Sequence, residues 1–183
     1  MVYIWQSAED YPQSSIAEYD RLTSPDRFIF KEGKIVSVDK KPNFKVGKKI
    51  NEIRKMDHVC NQTLVPLVSS RLSNCLINYF SKDIQLFKAN IICIDGLIDD
   101  YFLVNVTHCV HAINHEKSKC KYDEDNWLWG FDHLEYFPDC LGEYDIARDI
   151  EYHGNLIVSE RVKELFEENN FTGYGLYSPN ETI

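Results

Sequence analysis

A chain of 183 residues, 44% hydrophobic and 27% charged with a net charge of −9, has the length and apolar share of one globular domain with a substantial core. Such a composition excludes a largely disordered chain, and the acidic balance disfavours a nucleic-acid partner because phosphates are repelled. The opening residues Met1 to Asp10 hold no basic n-region or long apolar stretch, and apolar runs such as Ile91 to Ile94 fall far short of the roughly 20 residues of a membrane span. A cytoplasmic protein with no membrane partner is the expectation.

In chain order, residues 2–5 read as a short strand, edge or central, followed by a Ser/Asp/Pro-rich stretch from Ser7 to Ser15 and an ambiguous segment from Ile16 to Leu22. After Pro25, Phe28-Ile29-Phe30 and Ile35-Val36-Ser37-Val38 flank Glu32-Gly33, the pattern of a β-hairpin or of two short strands around a glycine turn. Lys40, Lys41, Lys45, Lys48 and Lys49 then surround Pro42 and Gly47, which favours a solvated loop or linker over a helix. A nucleic-acid stripe would interleave aromatic residues for stacking, and only Phe44 is present. Residues 1–55 are thus an expected N-terminal β lobe of a single domain spanning 1–183.

From Ile50 to Phe80 the chain turns helical in character, with Pro66 just ahead of Leu67-Val68-Ser69-Ser70-Arg71-Leu72, and with Cys75, Leu76, Tyr79 and Phe80 extending the apolar face. Strands are expected at Ile84 to Phe87, at Ile91 to Ile94 and through Tyr101 to Val110, divided by Asp and Gly turns, which describes an antiparallel sheet. The polar segment His115 to Asp125 reads as a loop, and Trp127-Leu128-Trp129-Gly130-Phe131 opens an aromatic, acidic stretch ending near Glu151. The chain closes on Leu156-Ile157-Val158-Ser159-Glu160-Arg161-Val162, in which Ser159 is placed to cap a helix whose apolar face is Val158, Val162, Leu165 and Phe166. Asn169 and Asn170 stop that helix, and Thr172-Gly173 turns the chain into a last strand at Tyr174 to Tyr177. Val-Ser-x-Arg therefore occurs twice, ninety positions apart, and the fold class is α+β: a mainly antiparallel sheet with a few packed helices and two similar helix–strand units.

Charge is unevenly distributed. Residues 27–55 carry ten Lys/Arg against three acids, a balance of +7, whereas residues 121–170 carry four against fourteen, a balance of −10. A cationic protein partner suits the acidic half. Six cysteines with no C-x-x-C spacing read as reduced thiols, several of them inside apolar segments where Cys behaves as a small buried hydrophobe, and the even count leaves disulfide pairing as the alternative.

Among residues able to do chemistry, His111 and His115 have the H-x3-H spacing of a zinc pair, with His108, Cys109 and Cys120 nearby. If the segment is a strand, however, His108 and His111 point to opposite faces, so no metal ligand is assigned. No nucleophile elbow, zinc-protease motif, phosphate loop or dinucleotide fingerprint occurs, and no two of the many carboxylates stand out as an acid/base pair, so no catalytic residue and no cofactor are assigned. A small carboxylate- or histidine-dependent hydrolase is the alternative reading. The repeated Ser and Arg are read as structural, capping each helix and pinning it to the sheet. Trp127, Trp129, Phe131, Tyr136 and Phe137 are either core aromatics or, with the acids around them, a protein-binding face. The candidate face comprises Asp123, Glu124, Asp125, Trp127, Trp129, Asp132, Glu135 and Asp139.

One resemblance adds to this. The Val68-Ser69-Ser70-Arg71-Leu72 helix start, Asp83-Ile84-Gln85-Leu86-Phe87, the Tyr101 to Val106 strand, His115-Glu116-Lys117-Ser118 and the terminal Val158-Ser159-Glu160-Arg161 through Phe171-Thr172-Gly173-Tyr174 resemble the bacterial polymorphic-toxin immunity proteins of family eleven and its relative family forty-three, over roughly residues 57–179. The resemblance implies an inhibitor that binds a cognate protein toxin, for instance a basic nuclease or another effector domain, in the cell that makes both. It carries over no functional residue.

Overall fold

Both Val-Ser-x-Arg sequences end a strand and begin a helix, and the remaining elements are arranged around them. The computed structural model describes residues 1–181. Its strands are β1 (Val2–Ser7), β2 (Glu18–Tyr19), β3 (Asn43–Lys45), β4 (His58–Val59), β5 (Leu67–Ser69), β6 (Ile84–Cys93), β7 (Gly96–Val106), β8 (Cys109–Val110), β9 (Lys119–Tyr122), β10 (Leu128–His133), β11 (Ile146–Asp149), β12 (Leu156–Ser159) and β13 (Tyr174–Tyr177). The helices are α1 (Ile50–Ile53), α2 (Ser70–Phe80) and α3 (Glu160–Glu168).

One sheet runs β2-β3-β6-β7-β5-β4, a second runs β13-β1-β12-β11-β8, and β9 pairs with β10 as a separate hairpin. Among the described strand pairs only β3–β6 and β8–β11 are parallel, so the α+β class with mainly antiparallel sheets holds. The order β6-β7-β5-β4 in the first sheet is repeated as β13-β1-β12-β11 in the second. The chain leads from α2 into β6 and β7, whereas after α3 and β13 the matching strand is supplied by the N-terminus. The strand at residues 2–5 is accordingly a central one, paired on both sides.

The two units share a core in which Tyr3 and Trp5 of β1, Leu72, Leu76 and Phe80 of α2, and Val162 and Phe166 of α3 pack together. Both helices turn the apolar stripe legible in the sequence toward this core, except that Tyr79 of α2 is 50% exposed. On the far side of the first sheet Phe30, Phe44, Ile53 and Ile91 form a second core, and on the far side of the other sheet Ile4, Ile113, Tyr136 and Ile157 form a third.

The repeated motif builds the same clasp twice. In the first unit Ser69 Oγ donates to Asp57 Oδ1 at 2.7 Å, and Arg71 grips both oxygens of that carboxylate, Nε to Oδ1 at 3.1 Å and Nη2 to Oδ2 at 2.5 Å. In the second, Ser159 Oγ donates to Asp145 Oδ1 at 2.7 Å and Arg161 Nη1 to Asp145 Oδ2 at 3.2 Å. Each clasp is closed by the other unit. The backbone N–H groups of Asp57 and His58 donate to the carbonyl of Thr172, beyond α3, at 3.1 and 2.9 Å. Those of Asp145 and Ile146 donate to Asp83 Oδ2, beyond α2, at 2.8 and 3.1 Å. Arg71 lies 4.5 Å over the Phe171 ring and Arg161 5.4 Å over Phe80, so each arginine also rests on an aromatic at the end of the opposite helix. Gly173 makes the first closure sterically feasible: its φ is +84° and a Cβ would sit 2.3 Å from the His58 carbonyl oxygen.

Several expectations are corrected. Arg27–Lys31 is a 3-10 helix, because Asp26 accepts a hydrogen bond from Phe28 N at 3.0 Å and caps the turn after Pro25. Residues 35–38 form no strand, since Val36 pairs through its backbone with the Gln85 side chain. The lysine-rich run is no linker: Phe44 is fully buried and β3 pairs with β6. Of residues 50–69, expected to be helical in character, only 50–53 are α-helix, because β4 and β5 form the hairpin that presents Asp57 to Ser69. Two expected strands merge into β6 through an irregularity between Ala89 and Ile91, and β9 lies within the expected loop 115–125. Ser159 makes no side-chain cap hydrogen bond, since its hydroxyl faces Asp145; only Ser69 also caps, accepting from Leu72 N at 3.3 Å.

Removing the Asp57 carboxylate leaves Ser69, Arg71 and Thr172 without their acceptor, so Asp57→Ala should cost about 3 kcal/mol in denaturant unfolding and Ser159→Ala about 1 kcal/mol. Burial opposes ionisation of Asp57, yet the hydrogen bonds from Arg71 and Ser69 outweigh it and hold the carboxyl below the usual range. That stabilisation is complete above the unfolded-state value near 4 and is lost as pH falls through the lower folded value, so Asp57→Asn should flatten the acid limb of the stability profile.

Candidate functional site: the acidic, tryptophan-bearing hairpin

The hairpin β9–β10 projects the most polar and the most aromatic part of the acidic half together. Its turn is made by Asp123, whose Oδ1 accepts from Asp125 N at 3.1 Å and Trp127 N at 2.8 Å, while Asn126 takes the left-handed conformation at φ +62°. Alternation interrupted by irregularities between Leu128 and Gly130 and between Phe131 and His133 then sorts the side chains. Leu128, Phe131 and Cys120 pack against the third core, and Trp127 and Trp129 face outward, 72% and 59% exposed. The aromatics therefore divide: Tyr136 is buried and Phe131 half-buried, whereas Phe137 joins the two tryptophans at the surface.

The carboxylates divide as well. Asp132 pairs with Lys121 at 2.5 Å and Glu135 with Lys117 at 2.8 Å, and Lys121 Nζ lies 5.6 Å from the Trp129 ring. Glu124, Asp125 and Asp139 are exposed and make no ion pair among the described residues. Thus Asp123, Glu124, Asp125, Trp127 and Trp129 are brought together at the hairpin tip, Asp132 lies on the same hairpin, and Glu135 and Asp139 follow it along the chain.

The base of the hairpin is held by polar contacts that the sequence did not single out. Ser118 Oγ bridges the Glu135 backbone at 3.0 Å in both directions, and Phe131 meets Tyr152 edge-on at 5.3 Å. Beneath it, Asn155 Nδ2 donates to Tyr136 Oη at 2.8 Å, next to Asp149, which is fully buried. Burial pushes the Asp149 carboxyl up to about 6, against the hydrogen bond it accepts from Glu151 N. Its neighbour Arg148 is also fully buried, donating from Nη1 to the His153 carbonyl at 2.9 Å. Consecutive buried charges on a strand read in sequence as an ordinary surface dipeptide.

The histidines are employed locally. His108 stacks on Tyr144 at 4.0 Å and hydrogen-bonds the Lys82 carbonyl at 2.9 Å, outside any strand. His115 lies between Glu151, at 2.8 Å from Nε2, and Cys120, whose sulfur is 3.8 Å from Nδ1. That row has the order of a nucleophile, a base and an orienting acid. Burial and the Glu151 and Asp149 carboxylates nevertheless raise Cys120 above the ordinary thiol value, which favours the thiol over the reactive thiolate. Among the described residues no group of three or more His, Cys, Asp or Glu is placed to hold a metal ion. No helix among them is long and apolar enough to cross a membrane.

The structure is thus a two-sheet α+β scaffold that presents exposed tryptophans on an acidic hairpin. The family model described as "Immunity protein family (Imm11)" matches residues 4–179, and the chain belongs to that family. No curated protein matches it.

Asp149 yields a prediction with a definite sign. Its folded value lies above the unfolded one near 4, so the native state is penalised as pH rises through 4 to 6, fully so above 6. Asp149→Asn keeps the acceptor for Glu151 N. It should stabilise the fold by about 3 kcal/mol at pH 7, and the gain over the native chain should vanish by about pH 4 in urea unfolding.

Proposed function

We propose that this protein is the antitoxin of a polymorphic toxin system: it binds and neutralises a cognate toxin in the cytoplasm of the bacterium that makes both, as a means of surviving competition. The hairpin β9–β10 is its contact face, with Trp127 and Trp129 as anchors, Asp123, Glu124, Asp125 and Asp132 around them, and Glu135 and Asp139 at the margin. The observation that carries this reading is the exposure of both tryptophans beside Glu124 and Asp125, which make no ion pair among the described residues. Apolar rings of this size left in water are characteristic of surfaces that a partner covers, and tryptophan leads the residues that dominate binding energy. Unpaired acids accelerate encounter with a basic partner. A nuclease toxin is basic where it holds phosphates, so Glu124 and Asp125 are suited to occupy the place of nucleic acid.

The test is co-expression with the product of the adjacent gene, followed by co-purification and rescue of growth. Trp127→Ala and Trp129→Ala should each weaken binding by about 2 kcal/mol, some 30-fold, with little change in unfolding temperature. Reversing Glu124 and Asp125 to lysine, which leaves the Asp123 turn intact, should slow association and weaken its acceleration at low salt. Binding indifferent to both sets of changes would place the contact elsewhere.

A further inference from the structure

Three segments distant in the chain meet beside the β9–β10 hairpin: the loop that carries His115, strand β9 with Cys120, and the β11–β12 turn with Glu151. His115 Nε2 lies 2.8 Å from Glu151 Oε2, and His115 Nδ1 lies 3.8 Å from Cys120 Sγ. A carboxylate only accepts, so Nε2 carries the ring proton and donates to Glu151. In the neutral ring Nδ1 is then the free base, and the Cys120 thiol donates to it. Among the described residues none of the other five cysteines hydrogen-bonds an imidazole; Cys75 and Cys93 are buried, and Cys109 directs its sulfur to the Glu32 carbonyl at 3.7 Å.

Each member of the row has its own anchors. The His115 turn is held by Asn114, whose N–H donates to the Glu135 carbonyl at 2.8 Å and whose Oδ1 accepts from Glu116 N at 3.2 Å. Cys120 stands opposite Phe131 in the hairpin, and Glu151 N donates to Asp149 Oδ1 at 3.0 Å. Cys120 is half-buried, while the His115 and Glu151 side chains are 47% and 34% exposed, so the imidazole is open to solvent. At rest the sulfur keeps its proton, because burial and the neighbouring carboxylates oppose ionisation. A base in contact with the S–H lifts that obstacle by taking the proton as the sulfur reacts. The Tyr122 hydroxyl, two residues along β9, favours the negative charge that develops there.

We propose that Cys120 is a site of covalent modification by thiol–disulfide exchange, with His115 as its base and Glu151 as the positioning residue that orients the imidazole and stabilises it when protonated. Cys120 Sγ attacks one sulfur of a low-molecular-weight disulfide while its proton passes to His115 Nδ1. The S–S bond of the reagent breaks, its electron pair leaves with the second sulfur, and that sulfur takes the proton from His115. The products are a mixed disulfide on Cys120 and one free small thiol. The reagent disulfide is the oxidant, and no other is needed.

Incubating the full chain with excess glutathione disulfide, followed by peptide-resolved mass spectrometry without reductant, gives the rate at each cysteine. At pH 7 Cys120 should react at least about tenfold faster than Cys60, Cys109 and Cys140, the other half-buried thiols. His115→Gln, which keeps a donor for Glu151 but has no base, should slow Cys120 at least about tenfold and leave the other five unchanged, whereas a loosened fold would speed them. That variant depends on the free thiolate, so its rate should climb only at higher pH and meet the native rate in strongly alkaline buffer. Glu151→Gln should fall between the two in rate and in pH profile. Cys120 reacting no faster than the other half-buried cysteines, or an unchanged rate or pH profile in His115→Gln, overturns the proposal; a Glu151→Gln profile identical to the native one overturns the role of Glu151. The reaction is followed on the isolated chain, so its failure leaves the immunity reading standing.

Discussion

The fold depends on a carboxylate held by an arginine and a serine, made twice and closed crosswise. Asp57 and Asp145 sit just before a hairpin, receive the Ser and Arg of the motif from its far end, and are locked by a residue that follows the other unit's helix. The geometry makes the two halves interdependent. Breaking either clasp frees a hairpin, a helix start and the loop beyond the opposite helix at once. An isolated surface ion pair would contribute little. These two matter because each carboxylate is mostly covered and each accepts several hydrogen bonds, so removing one partner strands the others.

A scaffold tied in this way leaves its outer elements free for other work. The β9–β10 hairpin belongs to neither large sheet, and its inward residues form part of the third core while its outward ones meet water. The contact face proposed for the toxin is therefore carried on a rigid base. The buried Asp149–Tyr136–Asn155 group beneath it is of a different kind: a carboxyl kept at a cost, the sort of polar core feature that fixes geometry more than it adds stability.

Local pattern set the structure where periodicity was long and punctuated. The α3 helix, its stop at Asn170 in the left-handed region, the last strand and the central strands all follow from apolar spacing and turn chemistry. It failed where a segment's pairing was settled from outside. Phe28-Ile29-Phe30 has strand composition, yet Asp26 coils it; His58-Val59 and Leu67-Val68 look like parts of a helix, yet they pair with each other across a loop organised by Asn61. Ser159 has the position of a cap but spends its hydroxyl on Asp145, a contact across fourteen residues that no local pattern announces.

By itself the sequence determined the α+β class, the repetition of Val-Ser-x-Arg, the family resemblance, and an acidic half rich in tryptophan. These are matters of local spacing and composition, which act before any tertiary contact exists. Tertiary structure alone decided which acids partner the repeated arginines, that the N-terminal strand completes the second unit, that Trp127 and Trp129 point outward while Tyr136 points in, and that His115 lies between Cys120 and Glu151. Those outcomes rest on which residues distant in the chain come within hydrogen-bonding or packing distance, a property of the closed structure that one-dimensional pattern does not contain.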